Sequence, residues 1–501
     1  MPTRREMLFA LAASAPLSAA IAPNPIVAEN RKPGTTRWRI RNLALRHEIE
    51  GYPSIDSVEA GGSLGLHVRS HTRAWTLEIF RLGWYGGYGG RSVLGPIRLS
   101  NGEPAPLPRN DLNHPLRCAW PGSYQLEVPR EWTSGFYWAL LTSSSGHQSA
   151  IPFIVREAAP SAHVLLQIPV TTYHAYNNWG GRSLYDFQSP GGRAFRVSFE
   201  RPYSPASLTG DRGFFYCDFA LVRWMESQGY SVAYCTNLDI HRQPALASQH
   251  QVFLSCGHDE YWSTQMMDHV EAARAKGTHL LFLSADTCHW VIRMEENGLT
   301  EACYKNGDLD PLKPATVRFR DPEIGRPEVQ LMGVQNELHC VTPGSVGYGP
   351  DGKPARYMVK DPSHFLFRGT GLTAKDGFEA IVGFEWDSVY PGGPKVDVLL
   401  ECADIQATCR YEDSQEGTMP AQAVAFEHES RGGVRSRVFS SGTIRWSWGL
   451  DDFQFDGDKS RSRVDGRLAQ FTANILSWMG TQPATPAPSL SLNDFSKPVK
   501  E

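Results

Sequence analysis

Alternating apolar and polar positions run through the first third of the chain, between turns rich in glycine and proline. Segments such as SLGLHVRS, AWTLEIFRLGWY and GFYWALLTS place every second side chain on one face, which is the period of a β-strand. The glycine-rich run RLGWYGGYGGR is predicted to form a hairpin tip or a bulge. Residues 36–156 are therefore predicted to form an all-β sandwich domain of immunoglobulin or jelly-roll type.

The pattern changes after the proline-containing segment VREAAPSA, which is predicted to be a linker. The apolar runs HVLLQIPV, QVFLSC and HLLFLSA are typical of strands buried on both faces, whereas FALVRWMESQGY and STQMMDHVEAARAKG have helical spacing. Ser263 is predicted to cap the second of these helices, and Gly277 to end it. Strands alternating with helices predict an α/β domain with a largely parallel sheet over residues 162–480.

Further apolar segments follow in the last part of this domain. DGFEAIVGFEWD, KVDVLLEC, AVAFEHES and RVFSSGTIRWSWGL predict a β-rich stretch, and SRVDGRLAQFTANILSWMG predicts the last helix. Residues 481–501 have the composition of a flexible tail.

The N-terminus has the composition of an export signal. Arg4 and Arg5 precede an apolar stretch, Met7 to Ala22, that is short for a membrane span. Paired arginines, an apolar region and small residues predict a twin-arginine signal peptide over residues 1–28, cleaved after Ala28. A retained anchor or a chance basic N-terminus is the alternative. The prediction places the mature protein in the periplasm or outside the cell.

Charge and cysteine content narrow the class of protein. The 501 residues include 49 basic and 53 acidic side chains, a net charge of −4, which gives no reason to expect a nucleic acid or an anionic membrane as partner. Nine cysteines, an odd number, leave at least one unpaired within the chain. Cys402 with Cys409, or Cys288 with Cys303, could close small loops, and no spacing typical of zinc occurs.

Three polar clusters follow predicted strands of the α/β domain: TTYHAYNNWGGRSLYDF, CGHDEYW and ADTCHW. In open α/β sheets, ligands bind at the carboxyl ends of the strands, so we expect these clusters at one sheet edge. The tyrosines of the first cluster are hard ligands suited to ferric iron, although such a loop is more often used for packing or sugar stacking. In the second cluster, Glu260 could instead form an ion pair or cap the next helix, as could Asp259.

A cysteine nucleophile at the same sheet edge is an alternative to a metal site, because Cys256 and Cys288 both follow predicted strands. Class I glutamine amidotransferases place a cysteine at such a strand-to-helix turn, surrounded by small residues. Cys288 lies beside a histidine and a tryptophan, and Cys256 fits somewhat better. An exported thiol is exposed to oxidation, which disfavours a cysteine-dependent amidotransferase-like enzyme.

The segments TYHAYNNWGGRSLYDF, GHDEYW, FLSADTCHWVIR, VGFEWD and VFSSGTIRWSWGLD, in this order, resemble the large (β) subunit of N,N-dimethylformamidase and its relatives. The resemblance runs from about Ala162 to Met479, and the upstream β-module resembles the front domain of exported relatives. It implies an amidotransferase-like α/β domain. It also implies a mononuclear ferric iron held by Tyr176, Tyr185 and Glu260, with Tyr173 as the competing choice for the first tyrosine.

The resemblance implies catalytic roles as well. Glu385 matches an additional glutamate of the family's active site, a candidate general base, and His258 would stand beside the ligand glutamate. Asp286 occupies a position where the family's dimethylformamidases have an asparagine. The short spacing between Tyr176 and Tyr185, together with the export signal, departs from those enzymes, so dimethylformamide itself is not carried over as the substrate.

The expected function is a metal-dependent hydrolase acting on an amide-type C–N bond, with a small-molecule amide as its partner. Neither nucleic acid nor, after signal cleavage, a membrane is expected as a partner, and a homo-oligomer is compatible with the sequence. The alternative from a different class is a non-catalytic, carbohydrate-binding or periplasmic interaction protein. Its aromatic residues would line a sugar groove, and its carboxylates would accept hydrogen bonds.

Overall fold

The computed structural model describes residues 24–101, 104–108, 114–210, 213–336, 355–406, 418–454 and 463–484. The first part of the chain contains one short helix followed by eight strands. These elements are α1 (Pro25–Asn30), β1 (Ile49–Pro53), β2 (Ser57–Glu59), β3 (Ser63–Ser70), β4 (Ala74–Leu82), β5 (Gly90–Ser100), β6 (Tyr124–Glu127), β7 (Gly135–Ser143) and β8 (Gln148–Arg156).

The eight strands form two sheets that share one apolar core. One sheet has the order β1-β3-β6 and the other the order β2-β8-β7-β4-β5. Leu66, Ile79 and Ile151, from three of these strands, are fully buried in the common core. Alternate side chains of β3 and β4 point into this core, as the sequence pattern predicts. The arrangement is that of a β-sandwich.

The outer face of the larger sheet is also covered. β7 is buried along nearly its whole length rather than on alternate positions. Its Phe136 and Trp138 pack against Phe214 and Phe215 of the following part of the chain, with ring centroids 3.5 Å apart for Phe136 and Phe214 and 5.2 Å apart for Trp138 and Phe215. The two parts of the molecule therefore bury apolar surface against each other.

The second part of the chain mixes helices and strands. Up to the middle of the large sheet its elements are β9 (Val164–Ile168), α2 (Val170–Tyr176), β10 (Arg196–Ser198), α3 (Pro205–Thr209), α4 (Asp218–Ser227), β11 (Val232–Thr236), α5 (Asn237–Arg242), β12 (Val252–His258), β13 (Tyr261–Ser263), α6 (Thr264–Ala275) and β14 (His279–Ala285). After it come β15 (Trp290–Glu295), β16 (Thr300–Ala302), α7 (Val329–Met332), β17 (Arg356–Val359), β18 (Gly377–Glu379), β19 (Asp397–Gln406), β20 (Thr418–Glu429), β21 (Arg435–Ser440) and α8 (Gly466–Trp478).

The central feature of this part is a nine-stranded sheet with the order β11-β9-β12-β14-β21-β20-β19-β17-β18. The five strands from β11 to β21 are parallel, whereas the pairs from β21 to β18 are antiparallel. The sheet is therefore mixed, and the prediction of a largely parallel sheet is correct only for its first half. A separate four-stranded sheet has the order β10-β16-β15-β13.

The helices of the parallel half follow the sequence signals closely. The hydroxyl of Ser263 accepts a hydrogen bond from the backbone N–H of Met266 at the start of α6, and Gly277 adopts a φ of +104° just after its end. Two predictions fail locally. The tyrosine-rich loop begins as helix α2, and Glu385 lies outside any strand, next to an isolated bridge between Trp386 and Thr443.

The structure describes one of the two predicted cysteine pairs and only part of the predicted signal peptide and C-terminal tail. Cys288 and Cys303 are both buried free thiols, so they do not form the disulfide considered from the sequence. The other pair includes Cys409, which lies outside the described residues, as do residues 1–23 of the predicted signal and residues 485–501 of the predicted tail. Within the described ranges, no helix is both long and apolar enough to cross a bilayer.

Candidate active site

The candidate active site lies where three neighbouring parallel strands end. β9, β12 and β14 lie side by side in the large sheet. Their carboxyl ends lead into α2, into Asp259 and Glu260, and into Asp286, respectively. The three polar clusters of the sequence therefore occur at one edge of the sheet, as expected for an α/β ligand site. Glu385 reaches the same edge from the segment between β18 and β19.

His258, the last residue of β12, lies among three carboxylates. Its Nε2 is 2.7 Å from Oε2 of Glu385, 3.3 Å from Oε2 of Glu260 and 3.5 Å from Oδ2 of Asp286. An imidazole carries at most one hydrogen at this nitrogen, so it can donate to only one of the three. The contact with Glu385 is the shortest, and it forms a histidine–glutamate pair suited to moving a proton.

One tyrosine donates to the other oxygen of Glu260, and a second tyrosine stacks on the first. The hydroxyl of Tyr185 donates to Oε1 of Glu260 over 2.6 Å. The ring of Tyr176 stacks on that of Tyr185, with centroids 4.3 Å apart, and lies 5.4 Å from the ring of His258. The structure thus brings together the two tyrosines and the glutamate that the sequence singled out.

Tyr173 has a different environment. Its hydroxyl donates to Oδ2 of Asp218 over 2.8 Å, and its ring lines a small apolar cavity with Phe136 and Phe214 between the two parts of the molecule. Because Tyr176 stacks on Tyr185 whereas Tyr173 is hydrogen-bonded to a buried aspartate, the geometry favours Tyr176 as the first tyrosine of the site.

Backbone hydrogen bonds hold the site in place. The backbone carbonyl of Glu260 accepts from the N–H groups of His289 and Trp290, and its own N–H donates to the hydroxyl of Thr172. Asp286 adopts a φ of +51°, a strained conformation for a residue with a side chain, and its N–H donates to Oδ1 of Asp387 over 2.8 Å. Such strain is found most often at functional sites.

Two neighbours of the site, His289 and Lys305, were not assigned to it from the sequence. His289 places its Nδ1 2.8 Å from Oδ1 of Asp286, and so holds that carboxylate on the side away from His258. Lys305 places its ammonium 3.5 Å from the centre of the Tyr185 ring. Lys305 belongs to no motif and follows the three-residue strand β16, so only its position in space reveals it. His289 was visible in ADTCHW but could not be paired with Asp286 without the turn geometry.

Burial and charge act against each other in this cluster. Burial disfavours the charged form of His258, but Glu385, Asp286 and Glu260 outweigh it and raise the pKa of His258 well above its ordinary value. Burial raises the pKa of Glu385, and the nearby His258 opposes that rise. Burial also lowers the pKa of Lys305 to about 8, against the attraction of Glu260. The site therefore holds groups that exchange protons near neutral pH.

The donor set fits a hard metal ion. Two phenol oxygens and a carboxylate are ligands suited to ferric iron. Glu260 is only 3% exposed, and its Oε2 has no hydrogen-bond partner among the described residues. Burial raises the pKa of Tyr185 well above its ordinary value, and Glu260 raises it further. Phenolate formation at this position therefore needs a nearby positive charge, which a bound cation would supply.

Neither cysteine considered as a nucleophile is accessible. Cys256 and Cys288 are both fully buried, and burial raises the pKa of each thiol well above its ordinary value. A catalytic cysteine needs an accessible thiolate in an electropositive environment. The structure therefore gives no support to the cysteine-dependent alternative.

Comparison with known proteins agrees with this geometry. The sequence profile described as N,N-dimethylformamidase beta subunit-like, C-terminal, matches residues 76–460. The match begins within β4, so it includes much of the β-sandwich as well as the large sheet. No curated protein matches the chain. The matched region contains every residue of the site and covers well over half of the sequence, and the chain belongs to the N,N-dimethylformamidase beta subunit-like family.

Proposed function

We propose that this protein is a metal-dependent hydrolase that cleaves an amide-type C–N bond in a small, linear amide. The observation that carries the proposal is the convergence of Tyr176, Tyr185 and Glu260 with the His258–Glu385 pair at the carboxyl edge of the sheet. Family membership supports the same reaction class. Water adds to the carbonyl carbon and the C–N bond breaks, so the products are a carboxylic acid and an amine.

In this proposal, Tyr176, Tyr185 and Glu260 hold a mononuclear ferric ion. Such an ion polarises a carbonyl oxygen and lowers the pKa of a bound water molecule. The ammonium of Lys305 lies 3.5 Å from the centre of the Tyr185 ring and adds positive charge next to this tyrosine. That charge favours the deprotonated form of the ligand tyrosine.

In this proposal, the pair of His258 and Glu385 carries out the proton transfers. With its pKa raised by burial, Glu385 can accept a proton from the attacking water, and His258, 2.7 Å away, can share it and pass it to the leaving amine. Asp286 is a positioning residue, because it is 3.5 Å from His258 on one side and 2.8 Å from His289 on the other.

The proposal also includes the type of domain, the location of the protein and its binding partner. We assign the parallel half of the large sheet to an amidotransferase-like domain, which the order of strands and helices from β9 to β14 supports. We assign the protein to the periplasm or the exterior, through the twin-arginine pattern at Arg4 and Arg5. The partner is a small-molecule amide, since the site is enclosed by buried side chains.

The experiment is an amide screen with a matched pair of variants. Release of amine from small linear amides is measured for the wild-type protein, for Glu385→Gln and for Glu379→Gln, whose side chain is 68% exposed. Loss of the general base lowers kcat by about 10²–10⁴-fold, while bound iron is retained and the exposed variant keeps wild-type activity. Equal turnover by wild type and Glu385→Gln would contradict the assigned role. Glycan binding without turnover would instead favour the carbohydrate-binding alternative.

A further inference from the structure

The two oxygens of Glu260 face different groups. Oε1 accepts the hydrogen bond from Tyr185, whereas Oε2 lies 3.3 Å from Nε2 of His258. That second oxygen is buried and has no hydrogen-bond partner among the described residues. A buried carboxylate oxygen without a donor is costly, so its position calls for a partner that protein atoms do not provide.

One carboxylate oxygen of Asp286, Oδ2, faces His258, as Oε2 of Glu260 does. Its Oδ1 is 2.8 Å from Nδ1 of His289, and its Oδ2 is 3.5 Å from Nε2 of His258. Asp286 is 6% exposed, and its strained backbone fixes the direction of the side chain. A histidine that orients a carboxylate from behind is a common outer neighbour of metal ligands.

The charge of this cluster is unbalanced. Glu260, Asp286 and Glu385 all lie within 3.5 Å of Nε2 of His258, and that nitrogen carries no proton when it binds a metal. The ammonium of Lys305 lies against the ring of Tyr185 instead. A divalent cation would balance two of the three negative charges.

The spacing fits ligands of one ion. Nitrogen and oxygen ligands at about 2.1 Å from a metal lie about 3.0 Å apart at octahedral angles and about 3.4 Å apart at tetrahedral angles. The distances from Nε2 of His258 to Oε2 of Glu260 and Oδ2 of Asp286, 3.3 Å and 3.5 Å, are of this size. Ligand atoms of the three residues all lie within 4.8 Å of one another.

We propose that His258, Glu260 and Asp286 bind a divalent transition-metal ion of the zinc or manganese class, at a site distinct from the one proposed for iron. Glu260 bridges the two positions through its two oxygens. A set of one imidazole and two carboxylates leaves a coordination position open to water. Glu385, displaced from its contact with His258, lies beside that position and accepts a hydrogen bond from the water.

This site goes beyond the proposed function and does not depend on iron. It changes the roles of two residues: His258 and Asp286 become ligands, and Glu385 alone moves the proton. The proposal can therefore be tested by metal binding, without a substrate.

The test is a calorimetric titration of the full-length chain with Zn²⁺, combined with metal analysis. We expect the wild-type protein to bind one Zn²⁺ in addition to any iron. Asp286→Asn preserves shape but removes the anionic ligand, and should weaken Zn²⁺ binding by at least about 100-fold. His258→Gln is a second variant with the same expected loss. Asp186→Asn is the matched control, because it makes the same Asp-to-Asn change at a side chain that is 71% exposed. This variant should bind Zn²⁺ as the wild type does.

Tyr185→Phe separates the two sites. It should lose iron but keep Zn²⁺, because Tyr185 contacts only Oε1 of Glu260. If iron never binds while Asp286→Asn abolishes Zn²⁺ binding, the iron proposal fails and this site stands. The site is overturned if the wild type binds no Zn²⁺, if Asp286→Asn binds it unchanged, or if Tyr185→Phe loses it as well.

Discussion

At the scale of single residues, two of the three tyrosines considered for the site, Tyr185 and Tyr173, differ in what their hydroxyls contact. Tyr185 donates to Glu260, whereas Tyr173 donates to Asp218, which is 3% exposed. Burial raises the pKa of Asp218 to about 8, opposed by the hydrogen bond from Tyr173. This aspartic acid is therefore protonated in the folded protein at a pH where it is ionised in the unfolded chain.

That difference makes stability depend on pH. Between the ordinary pKa of 3.8 and about 8, the folded state holds one more proton on Asp218 than the unfolded state does. The contribution of Asp218 to the free energy of unfolding therefore falls as the pH rises, by up to about 1.4 kcal/mol per pH unit. Asp218→Asn removes this term, so the variant should gain stability relative to the wild type at pH 8 compared with pH 5.

Thermal unfolding at the two pH values measures this directly. The informative quantity is the difference in Tm between wild type and variant at each pH. Asp186→Asn, at an exposed position, is the matched control and should show no such change between the two values. A constant difference for Asp218→Asn would show that Asp218 is ionised in the folded state.

Residue-scale prediction from the sequence depended on contiguous motifs. GHDEYW and SLYDF drew attention to Glu260, His258 and Tyr185 near the ends of predicted strands, and the family resemblance implied their roles. Lys305 could not be found in this way, since its contact with the Tyr185 ring joins two residues far apart in the sequence. The orientation of Asp286 depends on its positive φ, which cannot be predicted from its residue type.

At the scale of elements, α1 is part of the folded core. Ile26 is fully buried, and Glu29 pairs with Arg91 over 2.7 Å. The side chain of Asn24 donates to the carbonyl of Gly229, which also accepts from the N–H of Ala484. Cleavage after Ala28, as predicted from the sequence, would divide this helix and remove its buried isoleucine.

If the proposed export signal is cleaved, we therefore expect the mature N-terminus to lie at or before Asn24. Mass spectrometry of protein recovered from the periplasm gives its position. A mature chain beginning at Glu29 would contradict the role of α1, and Ile26→Ala provides an independent check. That variant should destabilise the protein by about 2–5 kcal/mol, because it leaves a cavity in the core.

The elements predicted best are those with strong local signals. α4, α6 and α8 have helical periodicity, and α6 has a capping serine and a terminating glycine as well. The direction of strands in a sheet has no comparable local signal. β19, β20 and β21 were identified as apolar segments, but their antiparallel pairing depends on how the connections run in space.

At the scale of the whole molecule, one buried ion pair joins the β-sandwich to the second part of the chain. Arg81 of β4 and Glu226 of α4 are 2.6 Å apart, and both side chains are fully buried. Tyr85 and Tyr234 add hydrogen bonds to the same pair. The pair links the two parts, and Tyr173 of α2 lies between them as well, where it lines the small cavity with Phe136.

Glu226→Gln leaves the buried charge of Arg81 without its partner. The expected cost is about 3–5 kcal/mol in the free energy of unfolding. Glu78→Gln is the matched control, because Glu78 pairs with the exposed Arg37 and such pairs contribute about 0–1 kcal/mol. Thermal unfolding followed by tryptophan fluorescence compares the two variants. Equal losses would show that the buried pair does not hold the two parts together.

We propose that Tyr176, Tyr185 and Glu260 hold a ferric ion at the edge of the large sheet. The most direct test is the iron content of the purified protein, measured together with its visible absorption spectrum. We predict one iron per chain and a tyrosinate-to-iron charge-transfer band, both lost in Tyr185→Phe and Glu260→Ala and both retained in Tyr173→Phe. A colourless protein that takes up no iron on reconstitution would contradict the claim.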